Sequence, residues 1–247
     1  MTGPADLASV RAAIDRLDDD VVALLARREE LVRAAGRLKA DGAAVRAPGR
    51  VEQVVARARE RATAHGASPE AVERVYRAMI AAFVDLELAT AAVADGVVVG
   101  PAAPGSAGEV LTLQRAAYVT EAQLYGDPGI PPLTETLEEV AAAVAAGTVL
   151  TATVGPRVVG AVRGELAGGV LSVGRLVVAP DRRGRGVGTA LLAAVERTPG
   201  ARRAVLFTGA RSAGNLRLYR RAGYREERRE RVSAGLELVH LAKDLPG

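Results

Sequence analysis

The sequence predicts two domains, an all-α domain followed by an α/β domain, and three observations support this. Up to about residue 93, the apolar residues recur with the spacing of amphipathic helices. After residue 109, short β-branched runs alternate with helical stretches. Between them, residues 94–108 are rich in Gly, Pro and Ala, which is typical of a linker. We therefore expect domains over 1–93 and 109–247.

Composition excludes several classes of site. The chain of 247 residues has no cysteine and only two histidines, so we expect no disulfide, no thiol nucleophile and no metal centre. No apolar run approaches the ~18 residues of a membrane span, and the N-terminus lacks a signal-peptide pattern. We expect a soluble cytoplasmic protein that does not bind a membrane. The net charge is +4 and the basic surplus lies after residue 95. An aromatic content of 3% argues against nucleic acid as the partner.

The first helix is predicted to be long. Two rows of residues spaced by seven, one starting at Leu7 and the other ending at Leu38, form a continuous apolar seam, and Gly42 marks the end. A helix of ~35 residues is ~50 Å long, too long for two short helices of one chain to cover. The seam therefore predicts a homodimer through the N-terminal helices.

Two further helices follow. One begins near Pro48. The other has Ser68 as its N-cap, Pro69 as its first residue and Gly96 beyond its end.

Charged residues interrupt the apolar faces of these helices. Arg28 lies on the seam of the first helix, and Glu87 lies on the apolar stripe of the third. Either they reach solvent or pair with each other, or they bind a charged ligand inside the helical bundle. Lys39 follows Arg28 by nearly three turns, ~16 Å along the same side. Arg11 lies ~25 Å from Arg28, so only the Arg11 of an antiparallel partner could share a small ligand with it.

The run VRAAIDRLDDDVVALLARREELVRAAGRLKADGAAVRAPGR resembles the all-helical chorismate mutase family, and the likeness covers roughly residues 5–92. The resemblance implies a dimer with two sites and no cofactor. Arg28 and the partner copy of Arg11 would bind the substrate carboxylates, and Lys39 would contact the ether oxygen. The remaining substrate-binding positions would be Arg50 at the mouth of the site, Phe83 and Glu87.

The chemistry of that family explains why a lysine stands here in a chain that otherwise uses arginine. Conversion of chorismate to prephenate is pericyclic, so the enzyme can only hold the reactive conformer and stabilise charge on the ether oxygen. A compact ammonium does this better than a planar guanidinium. Glu87 replaces the glutamine that is common in the family, and it donates a hydrogen bond only when protonated. We therefore expect faster turnover at mildly acidic pH.

Three departures and two alternatives accompany this interpretation. Glu87 is the first departure from the family pattern. Phe83 stands where the family commonly has a small polar residue, and Ala47 stands where it often has an acidic residue. The loop AAVRAPGRVEQ is also similar to the related isochorismate pyruvate lyases, which yield salicylate and pyruvate. A mutase acting on the 4-amino analogue of chorismate is the other alternative.

In the second domain, the segment VLSVGRLVVAPDRRGRGVGTALLAAVE, 170–196, carries the strongest local signal. A strand leads to Pro180, then to a turn rich in Arg and Gly, then to an amphipathic helix. Backbone N–H groups at such a helix start can hold phosphate. A structural glycine-rich turn is the simpler interpretation. A dinucleotide fold is disfavoured because the glycines at 184, 186 and 188 lack the required spacing.

The pattern R-x-x-G-x-G, with the later run NLRLYRRAGYRE at 215–226, resembles the GNAT acetyltransferases over about 109–245. The resemblance implies acetyl-CoA as cofactor, and Tyr219 either as the general acid for the departing thiolate or as an aromatic packed on the core. The implied cofactor-binding residues are Val177, Val178, Arg183, Gly184, Gly186, Gly188, Thr189, Asn215 and Tyr219.

The acceptor, an unknown amine, should bind against residues 112–146. Candidates there are Glu121, Tyr118 and Tyr125, and Glu165 is a possible base on a strand. We expect His240 to be structural. The predicted function is a bifunctional fusion of a chorismate mutase and an N-acetyltransferase. Alternatively, one domain serves only as a dimerising or regulatory module.

Overall fold

The computed structural model describes residues 6–38, 48–94, 96–233 and 235–246. In the N-terminal part, the described residues form three α-helices: α1 (Leu7–Leu38), α2 (Pro48–Ala64) and α3 (Pro69–Ala94). Both α1 and α2 pack on α3. Residues 39–47, which include Lys39, Gly42 and Ala47, lie outside the described residues.

Helices α2 and α3 contribute buried apolar residues, although Val75 of α3 is exposed, whereas the apolar residues of α1 are largely exposed. Val55, Ala58 and Ala62 of α2 and Ile80 of α3 are among the buried residues. Along α1 the predicted seam is exposed by half or more at six positions: Leu7, Ile14, Leu17, Val21, Leu24 and Leu31. The apolar face of α1 is thus formed as predicted, but the described chain covers only part of it.

The C-terminal part is a mixed sheet of seven strands in the order β1-β2-β3-β4-β5-β7-β6. All neighbours are antiparallel except β4 and β5, which are parallel. The strands are β1 (Val97–Pro101), β2 (Val149–Val154), β3 (Arg157–Ala167), β4 (Val170–Val178), β5 (Arg203–Gly209), β6 (Arg225–Arg231) and β7 (Glu237–Asp244). The expected fold class, all-α followed by α/β, is confirmed.

The segment predicted as a linker, 94–108, contains a strand. Val97–Pro101 pairs with Val154–Leu150 of β2 and forms one edge of the sheet. The Gly and Pro residues around it suggested a loop, but three consecutive valines favour an extended conformation. The linker prediction is therefore wrong for residues 97–101.

Five α-helices and one 3-10 turn connect the strands. The helices are α4 (Ala107–Tyr125), α5 (Pro131–Thr134), α6 (Leu137–Ala145), α7 (Val187–Val195) and α8 (Ala213–Arg221), and the turn is Pro180–Arg182. Glycines allow α7 to approach β3 closely. A β-carbon on Gly160 would lie 2.7 Å from Leu191, and one on Gly164 would lie 2.4 Å from Val195.

Strands β4 and β5 separate after a short parallel contact, and this separation creates the site. They pair only over Val170–Ser172 and Arg203–Val205. Beyond that point β4 also carries a bulge, because Arg175 and Leu176 interrupt its register with β3. Arg175 has φ = 51°, a left-handed conformation that non-glycine residues rarely adopt. The end of β4 is therefore free of β5 and irregular, as strands often are beside ligand sites.

Candidate active sites

The first group of predicted site residues lies between α1 and α3. The guanidinium carbon of Arg28 is 5.4 Å from the centroid of the Phe83 ring. Its Nε is buried and has no hydrogen-bond partner among the described residues. Glu87, one turn after Phe83, is only 7% exposed. Arg28 therefore contacts Phe83, and Glu87 is buried one turn further along α3. A buried donor in such a position favours binding of a charged ligand.

The other two basic residues of that prediction that the structure describes lie at the surface. Arg11 and Arg50 are exposed, and neither makes an ion pair with the described residues. Lys39 lies outside the described residues. Of the predicted basic residues that the structure describes, only Arg28 is partly buried.

The second site is a cleft of about 770 Å³ at the separation of β4 and β5. Its walls are the end of β4, the loop that precedes α7, the start of α8 and one face of α4. All nine residues predicted to bind a cofactor line this cleft: Val177, Val178, Arg183, Gly184, Gly186, Gly188, Thr189, Asn215 and Tyr219.

The start of α7 is suited to binding phosphate. Its N-cap, Gly186, has φ = 83° and provides no side-chain cap, so the first N–H groups of the helix are not satisfied by a cap. Gly184 has φ = 82°, which a residue with a β-carbon adopts only at a cost. The two glycines thus shape a turn whose backbone donors face a ligand site. Positive helix-dipole charge adds to the attraction for an anion.

Other predicted cofactor residues are held by the protein. The guanidinium of Arg183 donates to the backbone oxygen of Ala117 at 3.0 Å and so bridges the loop to α4. The Asn215 amide donates to the Thr208 hydroxyl at 3.3 Å. Tyr219 is 8% exposed and packs edge-on against Tyr224, with ring centroids 5.9 Å apart. Both predicted roles of Tyr219, core aromatic and cleft-facing phenol, are compatible with this position.

Two phenols of the cleft stay protonated over a wide pH range. Burial raises the pKa of Tyr118 to about 12. Burial also raises the pKa of Tyr219, and the nearby Tyr118 and Glu121 raise it further. Each phenol therefore carries a proton at neutral pH, and its raised pKa makes it a weaker acid than an ordinary phenol.

A buried carboxylate holds the irregular part of β4. Glu135 is 8% exposed and bonds Arg163 at 2.7 Å, Arg175 at 3.0 Å and Gln114 at 2.7 Å. Burial alone would raise the pKa of Glu135, but these three donors outweigh it and lower the pKa below the ordinary 4.5. The network fixes Arg175 at the bulge, next to the cleft. No sequence motif identified it, because its members come from four separate elements.

The face of α4 that was expected to meet the acceptor does line the cleft. Tyr118, Glu121 and Tyr125 lie along it. The Glu121 carboxylate accepts a hydrogen bond from the Ser212 hydroxyl, and the Tyr125 hydroxyl accepts one from the backbone N–H of Arg211 at 2.8 Å. Sequence reasoning missed Ser212 and Arg211 because their partners on α4 are more than 80 positions away.

Two other residues are settled by their positions. Glu165 is exposed on β3 opposite Ser172 and does not line the cleft, so its assignment as a possible base is wrong. His240 packs on Phe207, with centroids 5.7 Å apart, and its Nε2 lies 2.9 Å from Glu230. His240 thus has the structural position expected for it.

Two features are absent from the described residues. No three His, Cys, Asp or Glu side chains are grouped as a metal site would require. No helix there is both long and apolar enough to cross a membrane.

Comparisons with known proteins agree with the division into two parts. The family model for chorismate mutase type II matches residues 10–88. The model for the acetyltransferase (GNAT) domain matches residues 145–226. The isochorismate pyruvate lyase of Pseudomonas aeruginosa is 40% identical over 74 residues, which span 30% of this chain and 73% of that protein.

Solved structures show the fold of the second part. An N-acetyltransferase from Staphylococcus aureus Mu50 matches with a TM-score of 0.51 at 15% identity, covering 61% of this chain and 99% of that one. A GNAT acetyltransferase from Streptococcus pneumoniae matches with a TM-score of 0.50 at 14% identity, and the match covers 61% of this chain and 99% of that one. A putative acetyltransferase from Salmonella typhimurium, solved with acetyl-CoA, matches with a TM-score of 0.50 at 16% identity, and the match covers 61% of this chain and 95% of that one. Through its N-terminal helices the chain belongs to the chorismate mutase type II family, and it joins to them a GNAT acetyltransferase domain.

Proposed function

We propose that this protein rearranges chorismate to prephenate in its helical domain and transfers an acetyl group from acetyl-CoA to an amine in its second domain. The first activity rests mainly on one observation. The Arg28 guanidinium lies on Phe83, one turn before the buried Glu87, and has a buried N–H that no described residue accepts. Such a donor inside a bundle favours an anionic ligand, and both substrates of this family are dicarboxylates.

The helical site is completed by a second copy of the chain. The exposed seam of α1 is a long apolar face, which a soluble monomer rarely presents to water. Antiparallel pairing of two α1 helices would cover it and bring the partner copy of Arg11 to the carboxylates. The product is therefore expected only from the dimer.

Within that site, each charged residue has a separate role. Arg28 and the partner copy of Arg11 orient the two carboxylates, which holds the substrate in its reactive conformer. Lys39 places a compact positive charge at the ether oxygen, and the Glu87 carboxyl group contacts the same oxygen. No proton leaves the substrate, so no general base is needed.

A second candidate function is isochorismate pyruvate lyase, and the 40% identical relative favours it. The 4-amino analogue of chorismate is a further possible substrate. Lys39→Ala and Lys39→Arg test the site itself. Both variants should lower product formation at least 100-fold. Alanine removes the positive charge, and the planar guanidinium of arginine cannot replace the compact ammonium. Arg33→Ala, which only removes a surface pair with Glu29, is the matched control. Wild-type rates in both lysine variants would exclude this site.

In the second domain, the residues present fit acetyl-CoA, which would supply an activated acetyl thioester. The uncapped start of α7 would hold its pyrophosphate, and the unpaired edge of β4 at Val177 and Val178 would bond its amide-bearing arm. Tyr219 holds the proton needed by the leaving sulfur, and Glu121 is the carboxylate nearest to receive one from the amine. The observation that carries this proposal is the uncapped, glycine-lined start of α7 at the cleft.

Calorimetry with acetyl-CoA, followed by an acyl-transfer assay, tests this half. Tyr219→Phe should leave acetyl-CoA affinity unchanged and lower kcat about 100-fold. Unchanged kcat would leave Tyr219 as a core aromatic only. Running both assays on one preparation also tests whether either domain is only a dimerising or regulatory module, since that domain would then give no product.

A further inference from the structure

The cleft collects most of the aromatic side chains of a chain that has few. The sequence holds two phenylalanines and five tyrosines. Four of these line the cleft: Tyr118, Tyr125, Phe207 and Tyr219. Phe207 is 59% exposed, and Ile130, Leu236 and Leu238 lie around the same opening. A wall of this kind binds a flat or cyclic apolar body.

A fixed carboxylate lies in the same cleft. Glu121 accepts the hydrogen bond of Ser212, a residue that is only 5% exposed. The Ser212 hydroxyl is also 3.4 Å from the Tyr125 hydroxyl. Glu121 is therefore held in place by a buried partner rather than swinging in solvent. A fixed negative charge beside the transfer site attracts an ammonium group.

One guanidinium of the cleft differs from the others. Arg175, Arg182, Arg183 and Arg211 all line it, and the first three are held by protein oxygens, from Glu135, Asp181 and Ala117 respectively. Arg211 instead stacks on Tyr125, with its guanidinium carbon 5.5 Å from the ring centroid. In the described part of the chain, no carboxylate lies within ion-pair distance of it. Its position suits a carboxylate supplied by a ligand.

We infer that the acetyl acceptor is an amino acid whose side chain carries an aromatic or cyclic apolar body. Glu121 binds its ammonium, Arg211 binds its carboxylate, and Phe207 and Tyr125 pack against the ring. This rests on the proposed acetyltransferase function and names its substrate class. The positive and negative groups lie next to one another across Tyr125 and Ser212, as a zwitterion requires.

The transfer step moves one acetyl group and conserves every proton. The ammonium gives one proton to Glu121, which passes it to solvent. The freed nitrogen forms a bond to the acetyl carbonyl carbon as the C–S bond breaks. The thiolate takes the phenol proton of Tyr219, and the second proton lost by the nitrogen restores the phenol. The products are an N-acetyl amino acid and CoA.

Matched acceptors test the inference. Release of CoA thiol is measured with L-phenylalanine, with 2-phenylethylamine, which lacks only the carboxylate, with L-alanine, which lacks the ring, and with a lysine-containing peptide. L-phenylalanine should have the highest kcat/KM. Arg211→Ala should lower the kcat/KM for L-phenylalanine about 10- to 100-fold. The kcat/KM for 2-phenylethylamine should change by no more than about twofold, so that the variant no longer prefers the amino acid to the amine. Arg225→Ala, which removes an exposed arginine away from the cleft, is the charge-matched control.

Three results would overturn the inference. An Arg211→Ala variant whose KM for acetyl-CoA rises with every acceptor would assign Arg211 to the cofactor. A peptide acetylated faster than any amino acid would assign the cleft to a protein substrate. Calorimetric binding of acetyl-CoA without acetylation of any amino acid would leave the acetyltransferase proposal standing and exclude this substrate class. Absence of acetyl-CoA binding would instead reject the proposed function itself.

Discussion

The backbone oxygen of Leu88, in α3, lies so close to Gly186 that a β-carbon on this glycine would be 2.1 Å away from it. Leu88 is 1% exposed and follows Glu87 directly. Helix α3 therefore provides a residue of the first candidate site and, at the next position, packs on the glycine loop of the second. This contact, together with φ = 83°, explains why residue 186 must be glycine.

Gly186→Ala should weaken acetyl-CoA binding at least tenfold and destabilise the protein by about 1–3 kcal/mol. The added methyl group meets a backbone carbonyl that cannot yield and enforces a strained φ. Calorimetry and chemical denaturation measure the two effects. Gly188→Ala is the matched control for stability, because its β-carbon would meet only side chains, at 3.6 Å. Equal stability of the two variants would contradict this account of the contact.

Glu135→Gln should destabilise the protein by about 3 kcal/mol, since it leaves Arg163 and Arg175 half-buried without their counter-ion. The free energy of unfolding in denaturant measures the loss. Glu138→Gln, an exposed change in the first turn of α6, should cost less than about 0.5 kcal/mol.

The same network predicts an acid dependence. The pKa of Glu135 in the folded state lies below the ordinary 4.5, so its stabilisation is complete above that pH and is lost as the pH falls through the folded-state pKa. The wild-type protein should therefore lose stability more steeply below pH 4.5 than Glu135→Gln does. Parallel curves for the two proteins would be inconsistent with an ionised Glu135.

The buried phenols predict a dependence at alkaline pH. The pKa of Tyr118 is raised from 10.0 to about 12, so the unfolded chain loses this proton before the folded protein does. Stability is then fully present below pH 10 and falls as the pH rises towards 12. Tyr118→Phe should reduce the slope of melting temperature against pH over that interval. An unchanged slope would mean that folding does not raise the pKa of Tyr118.

Leu24→Glu should separate the proposed dimer and abolish prephenate formation while leaving acetyl transfer intact. The change places a charge on the exposed seam of α1, where Leu24 is 61% exposed. Sedimentation velocity measures the oligomeric state. Leu137→Glu, at a 48% exposed leucine of α6, controls for adding a charge to an apolar surface. A wild-type protein that sediments as a monomer would contradict the proposed assembly.

The elements with local signals were predictable from the sequence. The seven-residue rows of α1, the Ser68-Pro69 start of α3 and the Arg-Gly turn before α7 each depend on neighbouring residues, and the fold class and both families were predicted from them. Strand β1 was missed because glycines and prolines surround its three valines. The Glu121–Ser212 bond and the Glu135 network were missed because their partners meet only through sheet topology. Glu165 was misassigned because its position on a strand does not reveal that its side chain is exposed outside the cleft.

One product assay tests the chemistry of the helical domain most directly. The purified protein is offered chorismate and isochorismate separately, at pH 5.5 and at pH 7.5, and the products are separated by chromatography. The expected result is prephenate from chorismate at both pH values. Salicylate from isochorismate with negligible prephenate would contradict it and assign the site to the lyase reaction. Absence of both products would show that Arg28, Lys39 and Glu87 bind some other ligand or only support the fold.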